Sequence, residues 1–139
     1  MPTYSHIELA EGRGLLLSSV STLGFWLLLL GIGVLGGLGA VARLLISAWH
    51  GKLPWGILTG NVVASVIVGF AFTGQGFWTS LAATGFAGGL STFSSWAAQT
   101  VHFMGQNQRV QGYLNFVLNL VLPACAVVAG MYLGSTLLK

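Results

Sequence analysis

Residues 88–99 read GGLSTFSSWAAQ, inside a stretch from about Trp78 to Gly105 that is otherwise apolar enough to cross a membrane. Two glycines, followed by hydroxyls at Ser91, Thr92, Ser94 and Ser95, weaken helix formation in mid-span. A broken helix frees backbone carbonyls and amides, which is tolerated at membrane depth only where they are buried in protein or line a cavity. The stretch therefore predicts an all-α membrane protein whose third helix is broken mid-membrane. With no acid in the span, freed carbonyls suit a hard monovalent cation. Beyond the break, Phe93 and Trp96 fall on one helical face, and their electropositive ring edges can be turned toward an anion in a narrow pore.

The composition around this stretch agrees with a lipid environment. Of 139 residues, 55% are hydrophobic and 5% charged, and the mean hydropathy is +0.85. A soluble domain carries about a quarter charged residues. The five basic residues, Arg13, Arg43, Lys52, Arg109 and Lys139, are spread along the chain and form no cluster, so no nucleic-acid partner is expected. His6, His50 and His102 lack ligand spacing, and the lone Cys125 excludes a disulfide framework and a thiolate zinc site. Glu8 and Glu11 are the only acids, which leaves enzymatic chemistry, hydrolysis included, without support.

Four transmembrane helices are expected, over about residues 23–48, 55–72, 78–105 and 113–138. They make one four-span domain, residues 23–139, preceded by an N-terminal surface segment, residues 1–22. A cleaved signal peptide fits this end poorly, because its leading region holds both glutamates and its apolar run is too long. Pro54 is a natural helix-start residue, and Pro123 predicts a kink in the fourth span. Small residues repeat at i, i+4 in Gly33/Gly37, Gly56/Gly60 and Gly130/Gly134, which predicts close helix packing.

Polar side chains in hydrocarbon are costly unless partnered, so their positions carry information. Asn61 and Ser65 lie one turn apart on the second span, and Asn115 and Asn119 do the same on the fourth. Arg43 lies near the end of the first, where it can snorkel to the interface. A single such residue is explained by an interhelical hydrogen bond. Two amide-bearing turns together with a hydroxyl cluster predict a polar track, hence a small pore or transporter.

In order along the chain, GGLGAVAR (36–43), PWGILTGNVVASVIVG (54–69) and GFAGGLSTFSSW (85–96) resemble the motifs of the Fluc (CrcB) family of small fluoride channels, over about Gly36 to Gly134. The resemblance implies a fluoride-selective passive channel in the cell membrane, exporting toxic fluoride from the cytoplasm. It implies an antiparallel dual-topology dimer with two pores and a structural sodium ion at its centre. On that pattern Gly88 and Ser91 offer backbone carbonyls to sodium. Asn61, Phe93, Trp96, Ser94, Ser95, Asn115 and Asn119 belong to the fluoride pore, with Arg43 as a vestibule or structural residue. A larger side chain at Gly88 is expected to do harm through packing and backbone strain. Departures from the family pattern are Ile57, Ser91 and Asn115, together with Trp96 where Phe is usual and Gln99 where Glu is common.

Rival readings are a small multidrug-type transporter, which lacks the membrane-embedded carboxylate it would need here, and an accessory subunit of a heterodimeric channel. Arg13 and Lys139 on one face oppose Arg43, Lys52 and Arg109 on the other, almost no orientation bias. That predicts insertion both ways and a homodimer, with an oppositely oriented paralogue as the alternative partner.

Overall fold

The structure, a computed structural model, describes residues 4–138 apart from 50, 52 and 75, with side chains from Ser21 onward. Its elements are α1 (Tyr4–Ser47), α2 (Trp55–Phe72), α3 (Phe77–Ser80), a π-helical segment (Leu81–Ala87), α4 (Gly88–Leu90), α5 (Phe93–Gly105) and α6 (Arg109–Leu137). No strand occurs among the described residues.

Two compact units are present, divided after Leu30. In the first, the described side chains are almost all exposed and apolar, and Phe25 and Trp26 meet edge to face at 5.6 Å. The helical backbone is continuous from Tyr4, so no interruption separates the first span from the segment before it. Of the expected surface segment, residues 1–22, the side chains of residues 1–20 lie outside those described.

In the second unit, Gly31 to Lys139, consecutive spans alternate in direction. Gly31 lies against Leu81, Gly85 against Ile32 and Leu35, and Gly39 against Phe86 and Leu90, so α1 runs parallel to the segment that leads into the break. Gly56 N–H donates to the Trp49 carbonyl while Gly60, one turn on, meets Ile46, which sets α2 antiparallel to α1. Gly130 faces Val66, and Gly134 faces Phe70 and Thr73, so α6 runs parallel to α2. The small core consists of Ala64, Ala87 and Leu90, with Ala42, Ile46, Ile67 and Phe86 packed against it. Large apolar side chains point outward instead, among them Leu44, Phe72, Trp78 and Tyr132. An apolar surface so extensive belongs in lipid.

Three helices among the described residues are long and apolar enough to cross a membrane: Ser21–Ser47, Trp55–Phe72 and Arg109–Leu137. The third expected span is built of shorter pieces, from Phe77 to Gly105, with its interruption at Ser91–Thr92. The fourth begins at Arg109 rather than at Tyr113. Asn107 takes a left-handed conformation (φ 59°), which asparagine tolerates better than most residues, and this tight turn lets the helix restart early. α6 stays helical through Pro123.

Packing through small residues holds for only part of the expected set. A Cβ at Gly130 would overlap the carbonyl of Val66, and one at Gly56 would overlap that of Ile46. Gly33 and Gly37 instead face open space, and Gly36, Gly39, Gly85 and Gly89 form the contact between α1 and the third span.

Candidate ion site at the helix break

The break falls two residues after the glycine pair. Gly88 is helical (φ −61°, ψ −39°), whereas Ser91 (φ −77°, ψ 154°) and Thr92 (φ −153°, ψ 118°) are extended. In a continuous helix the Thr92 N–H would donate to the Gly88 carbonyl and the Ser95 N–H to the Ser91 carbonyl. Both donors are diverted to side chains. Thr92 N–H donates to Asn61 Oδ1 at 2.8 Å, and Ser95 N–H donates to Thr92 Oγ1 at 3.2 Å. Thr92 is thus the N-cap of α5, and the carbonyls of Gly88 and Ser91 lose the amides that a helix would supply.

Asn61 is pinned at three points. Beyond its bond from Thr92 N–H, its Nδ2 donates to Asn119 Oδ1 at 3.0 Å and, more weakly, to the Thr92 carbonyl at 3.3 Å. Asn119 in turn donates to Asn115 Oδ1 and to the Asn115 carbonyl, both at 3.1 Å. Asn115, 2% exposed, donates to Thr100 Oγ1 at 2.8 Å and lies behind the cavity lining. Ser65, one turn from Asn61, lines the same cavity as Asn61 and Asn119.

The two aromatic residues have different settings. Phe93 is 74% exposed and meets Trp96 at 4.8 Å with ring planes 75° apart, an edge-to-face pair. Trp96 is buried and stacks on Phe116 at 5.5 Å. Its indole N–H donates to the Asn115 carbonyl at 3.1 Å, so that donor is engaged within the protein.

Two cavities flank the first turn of α5. One, of about 330 Å³, is lined by Asn61, Ser65, Thr92, Phe93, Trp96 and Asn119. The other, of about 500 Å³, is lined by Arg43, Ser47, Ile57, Ser94 and Ser95. The hydroxyls of Ser94 and Ser95 therefore lie on the opposite side of α5 from the amide cluster. Thr92 joins the two sides: its backbone meets Asn61, while its hydroxyl donates to Ser95 Oγ at 3.0 Å and lies 3.4 Å from Ser94 Oγ.

Gly88 corrects one expectation. Its backbone is ordinary helix, and a Cβ there would meet only the Ala83 carbonyl, at 3.8 Å. No backbone strain opposes a side chain at that position, and packing within this chain admits a Cβ.

Thr92 and Thr100 were the residues least visible in advance. The signal for Thr92 was its place three residues before Ser95, the spacing of a hydroxyl N-cap. Thr100 lies one turn after Trp96, whose carbonyl its hydroxyl bonds at 3.0 Å.

Gln99 presents its Oε1 as a buried acceptor with no hydrogen-bond partner among the described residues. A carboxylate there would place an unpaired charge in the same surroundings, so glutamine is the milder occupant.

These features define a multi-pass helical membrane protein with a polar centre at an interrupted span. Residues 17–131 match the family model described as CrcB-like protein, Camphor Resistance (CrcB), and the chain belongs to that family. The chain is 36% identical to the fluoride-specific ion channel FluC of Hahella chejuensis, over 74% of this chain and 91% of that protein. It is 31% identical to FluC of a Nitratiruptor species, over 73% and 88% of the two chains. It is 35% identical to FluC of Escherichia coli K12, over 68% and 83%. These relatives are named as ion channels, which agrees with the expectation that the chain is not an enzyme.

Proposed function

We propose that the chain is a fluoride-selective passive channel that exports fluoride from the cytoplasm, acting as an antiparallel dimer with two pores and a structural sodium ion. One observation carries this reading: in a family whose members include fluoride-specific channels, the break creates a cavity lined by Asn61 and by the edge-to-face pair Phe93 and Trp96.

Fluoride is small and strongly hydrated, so a pore must replace its water with placed donors and positive ring edges. The ring edges of Phe93 and Trp96 supply weak positive potential beside the amides and hydroxyls that line the cavity. The Asn61 Nδ2 hydrogen on the long bond to the Thr92 carbonyl is the amide donor most easily turned to an ion. Ser94 and Ser95, beside Arg43, offer hydroxyls and a positive charge on the other side of α5. A larger anion pays a steric cost in the same narrow path without a comparable gain in contacts.

The exposed serines support a second copy. Ser91 and Ser94 are exposed beside Phe93, in a span that lies within the membrane. Polar groups at that depth belong against protein or water rather than lipid. A partner chain covers them and completes a pore wall around Phe93.

The sodium reading is supported by the carbonyls of Gly88 and Ser91, whose helical donors are diverted to Asn61 and Thr92. Uncharged oxygen donors of this kind suit a hard monovalent cation. When bound, sodium would supply a fixed positive centre that braces the two breaks against each other.

Expression in a fluoride-sensitive bacterial strain tests the activity in cells. Restored growth in fluoride, with no change in chloride handling, is expected; growth no better than with empty vector would contradict the reading.

A further inference from the structure

Three asparagines and two threonines form one chain of hydrogen bonds with a single direction. Thr92 N–H donates to Asn61, Asn61 Nδ2 to Asn119 Oδ1, Asn119 Nδ2 to Asn115 Oδ1, and Asn115 Nδ2 to Thr100 Oγ1. The Thr100 hydroxyl closes the series on the Trp96 carbonyl, which also accepts a longer bond, 3.4 Å, from Asn115 Nδ2. The ends are backbone groups with fixed roles, since an amide N–H only donates and a carbonyl only accepts. Turning any one of the three side-chain amides end for end would set donor against donor or acceptor against acceptor. The direction is therefore imposed from both ends. All five side chains are buried, and Asn115 and Thr100 lie away from the cavity lining, so water does not readily replace the bond between those two.

We propose that Thr100 and Asn115 are positioning residues for the break. Acting through Asn119, they hold the Asn61 amide in the one orientation that captures the Thr92 N–H and keeps it from the Gly88 carbonyl. Thr100 lies outside the cavity, about two helical turns along α5 from Thr92. A change at Thr100 thus reaches the cavity by way of the relay. The consequence for ion selectivity rests on the channel reading above, whereas the relay stands on the hydrogen bonds alone.

The test compares full-length wild type with Thr100→Val, which keeps shape and loses the hydroxyl, and Thr100→Ser, which keeps the hydroxyl. Hydrogen–deuterium exchange is read at the Thr92 amide, and fluoride and chloride efflux are read from liposomes. Loss of one hydrogen bond of ordinary strength should speed Thr92 exchange about tenfold in Thr100→Val and lower the fluoride-to-chloride flux ratio, with Thr100→Ser within about twofold of wild type. Asn115→Leu, which keeps the bulk but can neither accept from Asn119 nor donate to Thr100, should speed Thr92 exchange in the same way and serves if Thr100→Val fails to fold. Unchanged Thr92 exchange in the folded variant overturns the relay, whatever the flux. If wild type passes no fluoride, the channel reading fails, and Thr92 exchange still decides the relay.

Discussion

Asn61 on α2 holds both backbone groups of Thr92, 31 residues away: it accepts from the Thr92 N–H at 2.8 Å and donates to the Thr92 carbonyl at 3.3 Å. A side-chain amide thereby takes the place of the Gly88 carbonyl, which a continuous helix would offer to the Thr92 N–H. The interruption of the third span is a tertiary feature, written by α2 as much as by the glycines and hydroxyls around it.

Asn61→Ala should cost about 1–3 kcal/mol, because it leaves a buried amide N–H without an acceptor. Thermal unfolding in detergent measures this, and fluoride flux should be lost in parallel. Asn61→Asp retains an acceptor for Thr92 but loses the donor to Asn119 and adds a negative charge to an anion cavity. It should pass as little fluoride as Asn61→Ala.

Phe93 offers the opposite separation. Because it is exposed in the single chain, Phe93→Ile removes little besides the edge-to-face contact with Trp96, worth about 0.5–1.5 kcal/mol. Helical content should be unchanged in circular dichroism, yet fluoride flux should fall sharply, since an aliphatic group has no electropositive edge.

Trp96→Phe tests what the indole N–H contributes. The Asn115 carbonyl that it bonds also accepts from Asn119, so the substitution orphans no acceptor. An interhelical hydrogen bond in a membrane is worth about 0.6 kcal/mol on average. The variant should lose about that much stability and retain flux, because the ring edge remains.

Much of the fold was legible because a chain with 5% charged residues has few places to hide a loop. Four apolar runs and their short connections followed directly. The break was legible as a region but not to the residue, since GG and STFSS are both poor helix formers and only the contact from Asn61 chooses Ser91–Thr92. The aromatic pair was visible from its three-residue spacing, and the two rings meet edge to face. Ser94 and Ser95 looked continuous with the asparagines in one dimension, but a helix turns adjacent residues to different sides. The π-helical segment over Leu81–Ala87 left no local signal, and neither did the link from Thr100 through Asn115 to Asn61, which joins three helices.

The glycines give a paired prediction. Gly130→Ala should destabilise by about 1–3 kcal/mol, because its Cβ would overlap the Val66 carbonyl and the two backbones must separate. Gly33→Ala adds a methyl to open space and Gly88→Ala one in ordinary contact with the Ala83 carbonyl, so both should leave the unfolding of the single chain unchanged. If either of these weakens dimerisation measured by dilution in detergent, that glycine faces the partner.

The central claim is tested most directly by fluoride efflux from liposomes that contain only this purified chain, followed with a fluoride electrode and with chloride as the control ion. The account predicts rapid passive fluoride efflux, negligible chloride efflux, and loss of the fluoride signal in Phe93→Ile. A folded, reconstituted chain that releases no fluoride, or releases chloride equally well, would contradict it.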